Sequence, residues 1–140
     1  MNKGLGRLAT VAYFIVLPYL SRVGGGMAWV AQYLPPPDKL LSGLLFFAAF
    51  SAIPGIMLVA LDSGRKRSSR RPLIIAFVLM SVLTVFFHHD YDLASDAQAA
   101  IGLVVVPFYV AGCGLIAFFL TMVIEWLWTR ASRLSTGQDT

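Results

Sequence analysis

The only two histidines of the chain stand together in His88-His89-Asp90-Tyr91-Asp92, with Asp96 four residues further on. Imidazoles and carboxylates are common ligands of divalent metals, and histidine carries protons near neutral pH, so metal or proton-linked chemistry is conceivable here. The spacing argues against it. Adjacent side chains diverge on a helix and point to opposite faces of a strand, so His88 and His89 would need a bend to share one ion. A bis-histidine haem would need ligands facing each other from two helices, and no other segment carries a histidine. The expectation is a solvated outer loop over residues 88–96, with no metal and no cofactor.

Two isolated charges adjoin apolar runs. Glu125 precedes Trp126-Leu127-Trp128-Thr129-Arg130, and tryptophan favours the headgroup layer, so this carboxylate is expected at a membrane boundary, paired with Arg130 or a basic loop. Arg22 raises the same question at the opposite side. Buried deeply, either would be a candidate for transport.

Other catalytic signatures are missing. The chain has no phosphate-cradling Gly-rich loop, no H-E-x-x-H zinc motif and no G-x-S-x-G nucleophile elbow. Its single cysteine, Cys113, allows neither an internal disulfide nor a multi-cysteine metal site. No enzymatic activity is expected.

Two patterns point to binding. Ala48-x-x-x-Ala52, Ser51-x-x-x-Gly55 and Cys113-x-x-x-Ala117 place small side chains one helical turn apart, which lets helix backbones approach closely in lipid, within the chain or against a partner. The run around Arg65, Lys66, Arg67, Arg70 and Arg71 could attract anionic headgroups at roughly 1 kcal/mol per cation. Topology alone also explains that run.

The elements that must position these residues are set by hydropathy. Of the 140 residues 58% are hydrophobic and 13% charged, and the mean hydropathy is +0.75. A soluble chain of this length cannot hide so much apolar surface, so lipid is the expected second solvent. Leu40–Leu61 is free of charge and reaches roughly 33 Å as helix, enough for a hydrocarbon core. Ile101–Ile124 is also uncharged, and Ser95-x-x-Gln98 before it fits a helix-capping box. Pro72–Phe87 opens on proline at the favoured first helical position. Leu8–Leu20 is short for a crossing and becomes long enough when extended over 5–23. Gly24-Gly25-Gly26 and Pro35-Pro36-Pro37 bracket Trp29 and Tyr33 in what reads as an interfacial loop over 24–39.

The fold class is therefore all-α: a single four-helix transmembrane domain with helices near 5–23, 40–61, 72–88 and 97–128, and a basic loop over 62–71. Lys3, Arg7, Arg65, Lys66, Arg67, Arg70, Arg71, Arg130 and Arg133 fall on one side of that arrangement, leaving Arg22 and Lys39 with Asp90, Asp92 and Asp96 on the other. The positive-inside rule then places both termini and the basic loop in the cytoplasm. A multi-pass protein of a bacterial inner membrane is the expected setting. The cations sit at the termini and in one loop, not along a face with aromatics between them, so nucleic acid is not an expected partner. What remains is a non-enzymatic protein that binds another membrane protein, as an accessory subunit, regulator or toxin-immunity protein does. The alternative is a small oligomeric transporter or channel, with Glu125 and Arg22 lining its path.

Overall fold

The computed structural model describes residues 3–64, 69–90, 92 and 99–135. The described residues are helical with no strand: α1 (Lys3–Arg22), α2 (Met27–Ala31), α3 (Leu40–Ser51), α4 (Ile53–Ser63), α5 (Arg71–His89) and α6 (Ala99–Ser135). Three segments are long and apolar enough to cross a membrane, Gly4–Gly25, Arg71–His89 and Ile101–Ser132, and the bent pair Pro37–Ser51 and Ile53–Ser63 adds a fourth if it counts as one span. These are helices of the kind found in an integral membrane protein.

Side-chain distribution carries the same message. Leu8, Leu41, Phe46, Ile56, Val82, Phe86, Ile116 and Phe119 are exposed, whereas Arg22, Ser51, Thr84 and His88 are buried. A surface of this kind suits hydrocarbon, in which the bundle interior is where polar groups find partners.

Helices α5 and α6 form the closest pair. Pro72, Ala76, Met80, Thr84 and His88 are the buried residues of α5, spaced four apart along one side. Opposite them, α6 buries Pro107, Val110, Ala111, Gly114 and Phe118. Gly114 leaves the hole that the Met80 side chain fills. Around this pair Phe14, Leu17, Leu58, Ala76, Met80, Val110 and Phe118 form the core, joining α1, α4, α5 and α6.

The span expected over 40–61 is broken. α3 and α4 meet at Ala52 with a bend of 42°. Pro54 supplies no N–H to the Phe50 carbonyl, and its ring crowds that turn, so a straight helix cannot pass through. Next to it, Gly55 brings α4 onto α1: a Cβ there would lie 2.8 Å from Val11 Cα and 3.1 Å from the Thr10 carbonyl oxygen.

Three further differences follow from local chemistry. The segment 24–39 is not a plain loop, since it holds α2 and 3-10 turns at Val23–Gly25 and Pro37–Lys39. The helix expected over 72–88 runs one residue further, so that His88, which is buried, and His89, which is exposed, form the last turn of α5. α6 is longer than the apolar run that announced it, because Trp126 to Ser135 contains good helix formers and no breaker. The proposed capping box at Ser95 and Gln98, together with Arg65, Lys66, Arg67, Tyr91 and Asp96, lies outside the described residues.

Candidate functional site

The most elaborate polar arrangement is built on Arg22, the last residue of α1. The chain turns back just after it: Gly26 has φ of +87°, a left-handed conformation that favours glycine, and α2 returns across the helix end. Trp29 and Tyr33, four residues apart, thereby reach the same side of the returning segment. The Arg22 guanidinium carbon lies 4.4 Å from the Trp29 ring centroid and 4.1 Å from that of Tyr33. These are cation–π distances.

Hydrogen bonds complete the enclosure. Arg22 Nε donates to the Trp29 carbonyl oxygen at 2.8 Å, Nη1 to the His88 carbonyl oxygen at 3.2 Å, and Nη2 to Gln32 Oε1 at 2.7 Å. Arg22 is 0% exposed. Each of these three guanidinium nitrogens thus meets a neutral oxygen, which is how a buried guanidinium is tolerated.

The same chemistry ties down the C-terminal end of α5. Helix C-termini leave carbonyls without donors. Arg22 serves the carbonyl of His88, and Trp29 Nε1 serves that of His89 at 2.9 Å. In return His89 Nδ1 approaches the Ser21 carbonyl oxygen at 3.0 Å. A carbonyl only accepts, so this bond needs the proton on Nδ1. His88 Nδ1 lies 2.7 Å from Tyr33 Oη, and the ring is flanked by Tyr33 and Phe47.

Beneath His88, prolines from three helices converge. Pro18 of α1, Pro54 of α4 and Pro107 of α6 line one small cavity with Phe14, Ser51, Thr84, Val106 and His88. Its volume is about 10 Å³, close to the least that one water needs. Pro18 and Pro107 each deprive the carbonyl four residues earlier of its helical donor. The cavity wall is mainly apolar, with Ser51, Thr84 and His88 its polar residues.

No family model, curated protein or solved structure matches this chain. The site is therefore read from its own geometry.

Arg22 and His88 come together, while the other candidates are scattered. Asp90 is exposed beside His89, at 3.6 Å, and Asp92 is half-buried. Among the described residues no group of three or more His, Cys, Asp or Glu side chains forms a possible metal cradle. Ser51, Ala52 and Gly55 are buried within the bundle, with Ala48, Cys113 and Ala117 half-buried. Arg70 and Arg71 are exposed at the start of α5, where Ser69 Oγ accepts the Arg71 N–H at 3.2 Å.

Glu125 stands at the other end of the molecule and makes no ion pair with Arg130, while Arg65, Lys66 and Arg67 of the basic loop lie outside the described residues. Its Oε1 is out of solvent with no hydrogen-bond partner among the described residues. Arg130 instead lies over the Trp126 ring, 5.4 Å from its centroid. The residues that sequence reasoning missed are Gln32 and Thr84, together with the roles of Trp29 and Tyr33 as the walls around Arg22. Their signal was the Trp29-x-x-Gln32-Tyr33 spacing, which puts three side chains on one side of a helical turn.

Proposed function

We propose that this protein is a non-enzymatic membrane subunit that crosses the bilayer four times, with both termini and the basic loop cytoplasmic, and acts by binding another membrane protein through the end of α6. The supporting observation is the overhang of that helix. Met80 fills the hole at Gly114, and His88 shares a cavity with Val106 and Pro107, so the two helices run antiparallel. That register puts the start of α5 level with about residue 123, and α6 continues for roughly 18 Å beyond.

This free end is suited to a partner. Trp126 is 58% exposed and Trp128 76% exposed, with Leu127 between them. Tryptophan and arginine are the residues that most often anchor interfaces. The Glu125 oxygen without a partner among the described residues is a buried acceptor that a second protein's donor would satisfy. The enclosed Arg22 cluster serves as a brace for the opposite end.

A photo-crosslinking amino acid at position 128 tests this in native membranes. A stoichiometric foreign membrane protein should be captured from position 128 and not from position 86, an exposed site on α5. Glu125→Leu should lower that capture at least tenfold while leaving the fold intact, and Glu125→Gln, which keeps an acceptor, should be mild. Homo-oligomers that carry ions in liposomes, or a monomer without partners, would refute the proposal.

Orientation has a separate check. In a Cys113→Ser background, a thiol reagent that cannot cross membranes should label Asp92→Cys from outside and leave Ser69→Cys untouched. Labelling in the reverse pattern sinks the proposed topology.

A further inference from the structure

At the end of the bundle that carries the basic loop, α1, α4 and α5 leave a groove of about 360 Å³ between them. Its lining changes character with depth. Arg7 in the second turn of α1, Asp62 near the end of α4 and Arg70 just before α5 stand at the rim. Leu58, Leu73 and Phe77, one to two helical turns further in, make the interior apolar. Two helices, α4 and α5, thus present the same gradient, charged at the boundary and hydrocarbon-like beneath, while α1 closes the groove with Gly6, Arg7 and Thr10. This is the gradient of a phospholipid.

We propose that the groove holds one anionic phospholipid of the adjacent leaflet, with its phosphate against Arg7 and Arg70 and an acyl chain along Leu58, Leu73 and Phe77. Basic pockets between membrane helices are known to take such headgroups. The existing ion pair does not block the site. Arg7 Nη2 and Asp62 Oδ2 are 3.8 Å apart, with side chains 43% and 56% exposed, a loose and solvated contact that a phosphate can displace. With two arginines and one aspartate the rim keeps a net positive charge, which selects an anionic headgroup over a zwitterionic one. Neighbouring Arg71, also exposed, adds to that field.

Gly6 provides a test that spares the fold. It lines the groove, and a Cβ built on it meets nothing within 4 Å. Gly6→Leu therefore adds bulk to the groove lining from a Cβ that meets no neighbour.

The full-length protein is purified in mild detergent, mixed with phosphatidylglycerol or phosphatidylcholine, and the bound lipid is counted by native mass spectrometry. Wild type should retain one phosphatidylglycerol in preference to phosphatidylcholine. The Arg7→Gln/Arg70→Gln variant should retain about 25-fold less, at roughly fivefold per cation. Gly6→Leu should lose it as well, and Asp62→Asn, which removes the competing carboxylate, should hold it more tightly. Inorganic phosphate at the same concentration should not displace it, because the acyl chain contributes to binding. Equal retention of the two lipids, unchanged retention in Gly6→Leu or in the double variant, weaker binding by Asp62→Asn, or displacement by phosphate alone would each overturn the proposal.

Discussion

Arg22→Met is expected to lower the stability of the folded bundle by about 3 kcal/mol and to free the segment 23–39. Methionine fills much of the space but donates no hydrogen bond. The Trp29 and His88 carbonyls and the Gln32 side chain would each lose the Arg22 donor, and the two rings their cation. Hydrogen bonds to a charged group contribute more than neutral ones, but such bonds in membrane proteins measure weaker than their number suggests. The estimate is accordingly well below the sum of three bonds. Arg22→Lys should recover only part of the loss, because one ammonium cannot reproduce the fork that reaches three acceptors in different directions. Thermal unfolding in detergent reads the first effect. Limited chymotrypsin digestion reads the second, with cleavage after Trp29 or Tyr33 accelerated in the variant. An unchanged midpoint together with unchanged cleavage would show that this cluster is not a brace.

The prediction rests on residues whose roles were only half legible in the sequence. Arg22 stood at the edge of an apolar run, and hydropathy does not say whether a charge at a helix end turns outward to the headgroups or inward. That choice is made by Gly26, whose left-handed backbone sends α2 back over the helix end. The glycines and prolines around 24–37 correctly mark breaks in regular structure. They hide the short helix between the breaks, and with it the side on which Trp29, Gln32 and Tyr33 meet.

His88 was obscured for another reason. Its acidic neighbours Asp90 and Asp92 suggest a solvated loop, yet it continues the spacing of Pro72, Ala76, Met80 and Thr84. In a soluble helix the buried side is the apolar one. In α5 the outward Ile74, Val78, Val82 and Phe86 are as apolar as anything inside. The interior is marked instead by proline, small residues and hydroxyls, a pattern that a search for hydrophobic periodicity passes over.

Helix existence was the most legible feature and helix ends the least. The apolar runs announced α1, α5 and α6 because lipid demands continuous hydrocarbon over the whole crossing. Hydropathy reports only that crossing, so the last turns of α6, which leave the apolar region, were invisible to it. The break between α3 and α4 was foreshadowed by Pro54, but whether it would appear as a kink or as two helices depended on what packs there.

Gly55→Leu is expected to disrupt that packing outright, and comparison with two other glycines shows why. A Cβ at Gly114 would strike Met80 at Cε, at Cγ (2.6 Å) and at Sδ (2.9 Å), all atoms of one flexible side chain, so relief there requires the buried Met80 to repack but no helix to move. At Gly6 a Cβ meets nothing, so Gly6→Ala should gain up to about 1 kcal/mol from the lower backbone entropy of alanine. At Gly55 the obstacles are Val11 Cα at 2.8 Å and the Thr10 carbonyl at 3.1 Å, which are backbone atoms of another helix. Relief there requires α1 and α4 to separate along their length. Gly55→Ala should therefore cost about 2 kcal/mol, within the usual range for overpacking, and Gly55→Leu considerably more, enough to prevent a folded monomer from being recovered in detergent. The order of stabilities, read from thermal midpoints, should be Gly6→Ala above wild type, then Gly114→Ala, then Gly55→Ala, with Gly55→Leu unfolded. A Gly114→Ala variant less stable than Gly55→Ala would mean that the Met80 side chain, not the contact between the α1 and α4 backbones, is the less yielding part of the bundle.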